Sequence, residues 1–135
     1  METIEFTAIE KSLIHDVVTV FKFIASGKRK GLIDEGRLSQ LLGERFQSRF
    51  IHTKAESDEW LLKWRANSNI EMPWDFGSWV DALMESEVEL ESIDVDQDGC
   101  GCIMFTQLAW PTGGIAAIEE IVRIYDGRVE SDSAI

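Results

Sequence analysis

The stretch Glu87-Val88-Glu89-Leu90-Glu91-Ser92-Ile93-Asp94-Val95-Asp96-Gln97-Asp98-Gly99 decides how this chain folds. Val88 and Leu90 alternate with Glu87, Glu89 and Glu91, the period of two that marks a strand with one dry face and one wet face. Ile93 and Val95 continue the alternation on the opposite parity, against Asp94 and Asp96. One extra residue near Glu91-Ser92 restores a common apolar face, which is what a β-bulge supplies. Asp98-Gly99 then carries the signal of a hairpin turn, and a return strand is expected from Cys102 through Ala109.

Upstream of this hairpin the apolar period is helical. Ile4 and Phe6 flank Glu5 in a short opening strand, after which Thr7-Ala8-Ile9-Glu10 reads as a capping box. Leu13, Val17, Val20, Phe21 and Ile24 follow at helical spacing, predicting a helix over 8–26 with Gly27 as its C-terminal cap. Leu38, Leu41, Leu42 and Phe46 mark a second helix, weakened by Gly36 and Gly43. A third is expected to start at a Ser57 or Asp58 cap and to run through Trp60, Leu61 and Trp64, with both tryptophans in the core. Pro73 interrupts, and Phe76, Trp79, Val80 and Leu83 suggest a fourth helix.

Downstream, Trp110-Pro111-Thr112-Gly113-Gly114 breaks the return strand. A last helix follows with Ile115, Ile118, Ile121 or Val122, and Tyr125 on its core face. The order of elements predicts an α+β fold: a helical N-terminal two-thirds packed on a small antiparallel β-hairpin sheet, closed by a C-terminal helix. Residues 1–127 are expected to form one globular domain and 128–135 a loose polar tail.

Composition narrows the functional classes. With 135 residues and 44% apolar residues, the chain can bury one sizeable core. Met1 to Phe6 lacks the basic start of a secretory signal, and no apolar run approaches a membrane span, so a cytoplasmic protein without membrane contact is expected. The two cysteines, Cys100 and Cys102, are too few for a disulfide framework. The net charge of −12 is unevenly spread: residues 71–135 hold only Arg123 and Arg128 against fifteen acids. Phosphates would be repelled there, so a basic protein is the expected partner and nucleic acid is not.

Motifs that suggest other chemistry fall short. Asp94 to Gly99 matches the first half of a calcium-binding loop, but Phe105 stands where the bidentate glutamate is required. Cys100 and Cys102 could give zinc two ligands, yet His15 and His52 are not spaced to complete a site. Ser26-Gly27-Lys28-Arg29-Lys30-Gly31 lacks the Gly-Lys-Ser/Thr ending of a phosphate loop and reads as a helix end with compensating cations. Thr112-Gly113-Gly114 opens a helix that could present amides to an anion, in an acidic neighbourhood that opposes one. No nucleophile elbow of the Gly-x-Ser-x-Gly type occurs, and no catalytic residue, metal or cofactor is assigned.

The strongest constellation is the acidic run: Glu85, Glu87, Glu89, Glu91, Asp94, Asp96 and Asp98 place seven carboxylates in fourteen residues with no cation between them. Charge on an edge strand guards against edge-to-edge aggregation, but lysines would serve equally, and none is used. The one-sided choice points to a basic surface as its complement. Trp74 and Trp110 neighbour prolines at element boundaries, where partial exposure would make them interface anchors.

With its acidic run from Glu85 to Asp98 and its hairpin-to-helix segment ending at Tyr125-Asp126-Gly127, this chain resembles in type the immunity proteins of bacterial toxin–immunity systems. The resemblance implies tight binding to a cognate toxin domain, commonly a nuclease, whose activity is thereby blocked. Two other readings stand beside it: an acidic interaction module or adaptor, and a small enzyme with a carboxylate-bound metal.

Overall fold

The computed structural model describes residues 2–70, 73–108 and 115–132. Among them, six α-helices pack with a four-stranded antiparallel sheet, an α+β architecture. The elements are β1 (Glu2–Thr7), a single 3₁₀ turn (Lys11–Leu13), α1 (Ile14–Lys30), α2 (Glu35–Leu42), α3 (Glu44–Arg49), α4 (Lys54–Ala66) and α5 (Phe76–Glu85). The hairpin β2 (Val88–Val95) and β3 (Gly101–Gln107) follows, then α6 (Ile115–Ile124) and β4 (Arg128–Asp132). Strand order is β2-β3-β1-β4, which leaves β2 and β4 at the edges. No helix of the described residues is long and apolar enough to cross a membrane.

The bulge expected from the parity switch is present. Leu90 pairs with Phe105 and Ser92 with Met104, leaving Glu91 as the extra residue. Val88, Leu90 and Ile93 thereby all reach the interior, where Ile4, Phe6, Ile103 and Phe105 from the central strands join them. The turn closes on Asp96, whose Oδ1 accepts from the Asp98 and Cys100 amides at 2.9 and 3.1 Å. Gly99 sits at φ +81°, and a Cβ there would collide with the Ile9 carbonyl.

One face of the sheet is covered. Helix α1 lies against β2 and α6 against β4, with α5 packed on α6. Helix α5 begins at an Asp75 cap and buries Phe76, Trp79, Val80 and Leu83, as its spacing predicts. Trp79 is fully buried, stacks near Phe50 at 5.1 Å and donates its indole N–H to the Ala117 carbonyl at 2.8 Å. Helix α6 buries Ile115, Ile118, Ile121 and Val122, also as expected.

Local signals were overridden in four places. The capping box at Thr7–Glu10 does not form: β1 runs through Thr7, whose hydroxyl donates to Glu130 at 2.8 Å, and Ala8 takes φ +70°. The Ile9 amide donates to Gly99 at 3.1 Å, so the hairpin turn holds this segment extended and α1 starts only at Ile14. Its end also moves, because Gly27 is a buried helix residue whose Cβ would meet Ile33 at 2.8 Å, while Gly31 at φ +83° is the cap. The second helix divides at Gly43, φ +60°, into α2 and α3.

The third helix starts four residues early, on an N-cap in which Thr53 Oγ1 accepts from the Glu56 amide at 3.1 Å. It buries no residue at all: Leu62 is 65% and Trp64 44% exposed, which corrects the core placement of Trp60 and Trp64. The tail is the fourth correction. Residues 128–132 are not loose but form β4, which pairs with the otherwise open edge of β1 and sets half-buried Val129 opposite Phe6. Backbone pairing, which a mostly polar sequence does not advertise, holds them there.

Candidate functional site

All seven carboxylates of the acidic run, Glu85, Glu87, Glu89, Glu91, Asp94, Asp96 and Asp98, are solvent-exposed, and none lies within ion-pair distance of a cation among the described residues. They do not occupy one strand. Glu85 ends α5, Glu87 precedes β2, Glu89, Glu91 and Asp94 stand on β2, and Asp96 and Asp98 belong to the turn. Asp96 is committed to the turn amides, so its role is structural as well as electrostatic. The bulge turns Glu91 outward over β3, where its Oε1 accepts from Thr106 Oγ1 at 3.2 Å.

Cross-strand register extends this surface across the sheet. Residues directly opposite in an antiparallel pair share a face. Asp94 lies opposite Cys102, Cys102 opposite Glu5, and Glu5 opposite Ser131, so one row crosses all four strands. Glu5 and Glu130 are exposed and belong to this open face, along with half-exposed Thr3, Cys102, Met104 and Thr106. The alternation of Glu5 between Ile4 and Phe6 carried the signal for its outward direction; Glu130 carried none until β4 was paired.

The electrostatics of the face register on Cys102. Partial burial pushes its thiol above the ordinary range, and the carboxylates of Glu5 and Asp94 push it further. A thiol held protonated in this way is a poor nucleophile and a poor metal ligand. Basic residues of α1 come close without pairing: Lys22 and Arg29 share a groove with Glu91, and Lys28 and Arg29 share one with Glu89. Lys28 is otherwise engaged, donating to the Leu83 carbonyl and to the Ser86 carbonyl and hydroxyl, so it caps α5 rather than cradling a phosphate. Burial lowers its pKa.

Trp74 is not brought together with the carboxylates. It is half-buried on the helical side, placed by the Ile51 amide donating to its carbonyl at 2.8 Å. There it borders a cleft with Arg49, Trp60, Pro73, Glu120 and Arg123, none of them from the acidic run. Trp110 and Thr112 to Gly114 lie outside the described residues. His52 donates to the Phe46 carbonyl at 2.6 Å and His15 neighbours Thr19, so each histidine has a local partner.

Glu120 belongs to the acidic neighbourhood that follows Thr112-Gly113-Gly114 in the sequence, which gives no sign of its burial. It is 3% exposed and receives two bonds from Arg49, 2.6 Å from Nε and 3.0 Å from Nη2. Arg45 does similar work nearby, donating to the Ile124 carbonyl at 2.8 Å and to Asp126 at 3.3 Å. Searched against protein-family models, curated proteins and solved structures, the chain matches none.

Proposed function

We propose that this protein binds a positively charged protein surface through the acidic face of its sheet and acts in the cytoplasm as an inhibitor of a cationic, nuclease-type toxin domain. One observation carries the reading: among the described residues the seven carboxylates stand in water without cationic partners, and Glu5 and Glu130 continue them across a sheet face that no described helix covers. A domain that grips phosphates must present clustered lysine and arginine, and an acidic face of this breadth can occupy or screen such a cleft.

The physics favours association rate first. Exposed unit charges 4 Å apart interact by only about 1 kcal/mol in water, so no single pair holds a complex together. A field summed over many carboxylates steers encounter and can raise on-rates by one to several powers of ten, falling as salt rises. The half-exposed Met104, Thr106 and Thr3 between the charges give the face a less polar centre against which a partner can exclude water.

Co-purification from the native host at low salt, followed by a salt step, should yield a basic protein that leaves at high salt. With that partner in hand, the variant Glu87→Gln/Glu89→Gln/Glu91→Gln should bind at least about tenfold more slowly and lose most of its salt dependence. An unaltered on-rate and salt slope would refute the acidic-face reading. Failure of the complex to block the partner's activity would refute the inhibitory part.

A further inference from the structure

The cleft on the helical side has a volume of about 510 Å³, within the range of small-molecule sites. Its walls join two chemistries. Trp60, Pro73 and Trp74 offer flat apolar surface, and Arg49 and Arg123 offer guanidinium groups. A shallower depression adjoins it, sharing Arg49 and Arg123 and adding Asp126 and Arg128.

The placement of the cations is selective. Arg123 and Arg128 are the only basic residues in 71–135, a segment with fifteen acids, and both border this depression. Arg49 is held by buried Glu120, and Asp126 is held by Arg45. Arg123 makes a loose ion pair with Glu119 at 4.0 Å, longer than a hydrogen bond, and the exposed Arg128 side chain has no hydrogen bond or ion pair among the described residues. Two guanidinium groups therefore retain donors for a ligand oxygen.

Charge selects the ligand class. Across the cleft, its neighbour and their ion-pair partners, four arginines (Arg45, Arg49, Arg123 and Arg128) face three acids (Glu119, Glu120 and Asp126), leaving a single positive charge. The chain as a whole carries −12, which penalises a multiply charged ligand more than a singly charged one. Planar arginine forks match the geometry of a carboxylate, and indole faces match an aromatic ring.

We propose that this cleft binds a small aromatic monocarboxylate, its ring against Trp60 and Trp74 and its carboxylate on Arg123, with Arg128 at the rim. Calorimetric titration of the full chain with 2-naphthoate tests it. Saturable one-to-one binding is expected, with a Kd on the order of 100 μM for a ligand of this size. Arg123→Gln and Arg128→Gln should each weaken it, the former at least about tenfold, and the uncharged 2-naphthalenemethanol should bind about as poorly. Trp74→Ala should also lose binding and Trp74→Phe restore much of it, which separates stacking from a folding defect. The Glu87→Gln/Glu89→Gln/Glu91→Gln variant should bind 2-naphthoate normally, which keeps this site distinct from the acidic face. No saturation below about 5 mM, wild-type affinity in a folded Arg123→Gln, or tighter binding of adenosine monophosphate than of 2-naphthoate would overturn the proposal.

Discussion

Glu120 on α6 and Glu89 on β2 are the same residue under opposite rules. Glu120 is buried on the helical side and takes two hydrogen bonds from Arg49; Glu89 stands in water on the open sheet face, with no cation within ion-pair distance among the described residues. Burial makes an unpaired charge expensive, so the helical side must pair its carboxylate. Water already solvates the sheet face, so its carboxylates need no partner within the fold and remain available to one outside it. For these two carboxylates, pairing follows dielectric environment rather than the density of charge along the sequence.

The largest test of this contrast is Arg49→Ala. It would leave the Glu120 carboxylate buried without its partner and should cost about 3 kcal/mol of unfolding free energy in urea titration. A loss below about 1 kcal/mol would mean that the pair is as dispensable as a surface bridge, and the contrast between the faces would collapse.

Alkaline titration of Tyr125 sharpens the same boundary. Burial pushes its phenol up to about 12, with Asp16 adding to the shift and Arg45 opposing it. Its hydroxyl is buried without a hydrogen-bond partner among the described residues. Because the folded value lies above the ordinary phenol pKa of about 10, the stability it confers is intact below pH 10 and is lost as pH rises through about 12. Tyr125 is the only tyrosine in the chain, so near-ultraviolet phenolate absorbance reads it without ambiguity. Native protein should show no phenolate until well above the midpoint seen in denaturant; coincident midpoints would place the ring in water.

The smallest effect belongs to the sheet face. Glu87→Gln/Glu89→Gln/Glu91→Gln should leave stability unchanged or raise it by a few tenths of a kcal/mol, since like charges repel across neighbouring positions. A loss above about 1 kcal/mol would show that these carboxylates support the fold and are not spare.

Much of this architecture was written in local pattern. The parity switch between Leu90 and Ile93 placed the bulge at Glu91, and Asp98-Gly99 placed the turn. Phe76, Trp79, Val80 and Leu83 share one helical face, and they are buried together. Trp60 and Trp64 show where such inference stops: they sit one turn apart in a helix, yet α4 buries nothing. Spacing identifies which side chains share a face but not whether another element comes to cover it. The acidic run was legible as density; its continuation through Glu5 and Glu130 was not, because those residues join it only through the pairing of β1 with β3 and β4.

Sequence alone settled the α+β class, the hairpin with its bulge, the two amphipathic helices α5 and α6, and the exposure of the seven carboxylates. These follow from side-chain period and turn chemistry, which act over a few residues. Tertiary structure alone decided that Ile9 is pinned extended by Gly99, that a polar tail becomes β4, and that Arg49 reaches Glu120 seventy-one residues away. Each of those is a contact between distant segments, selected by the backbone and charge groups that burial obliges to find partners, and no short stretch of sequence carries that obligation by itself.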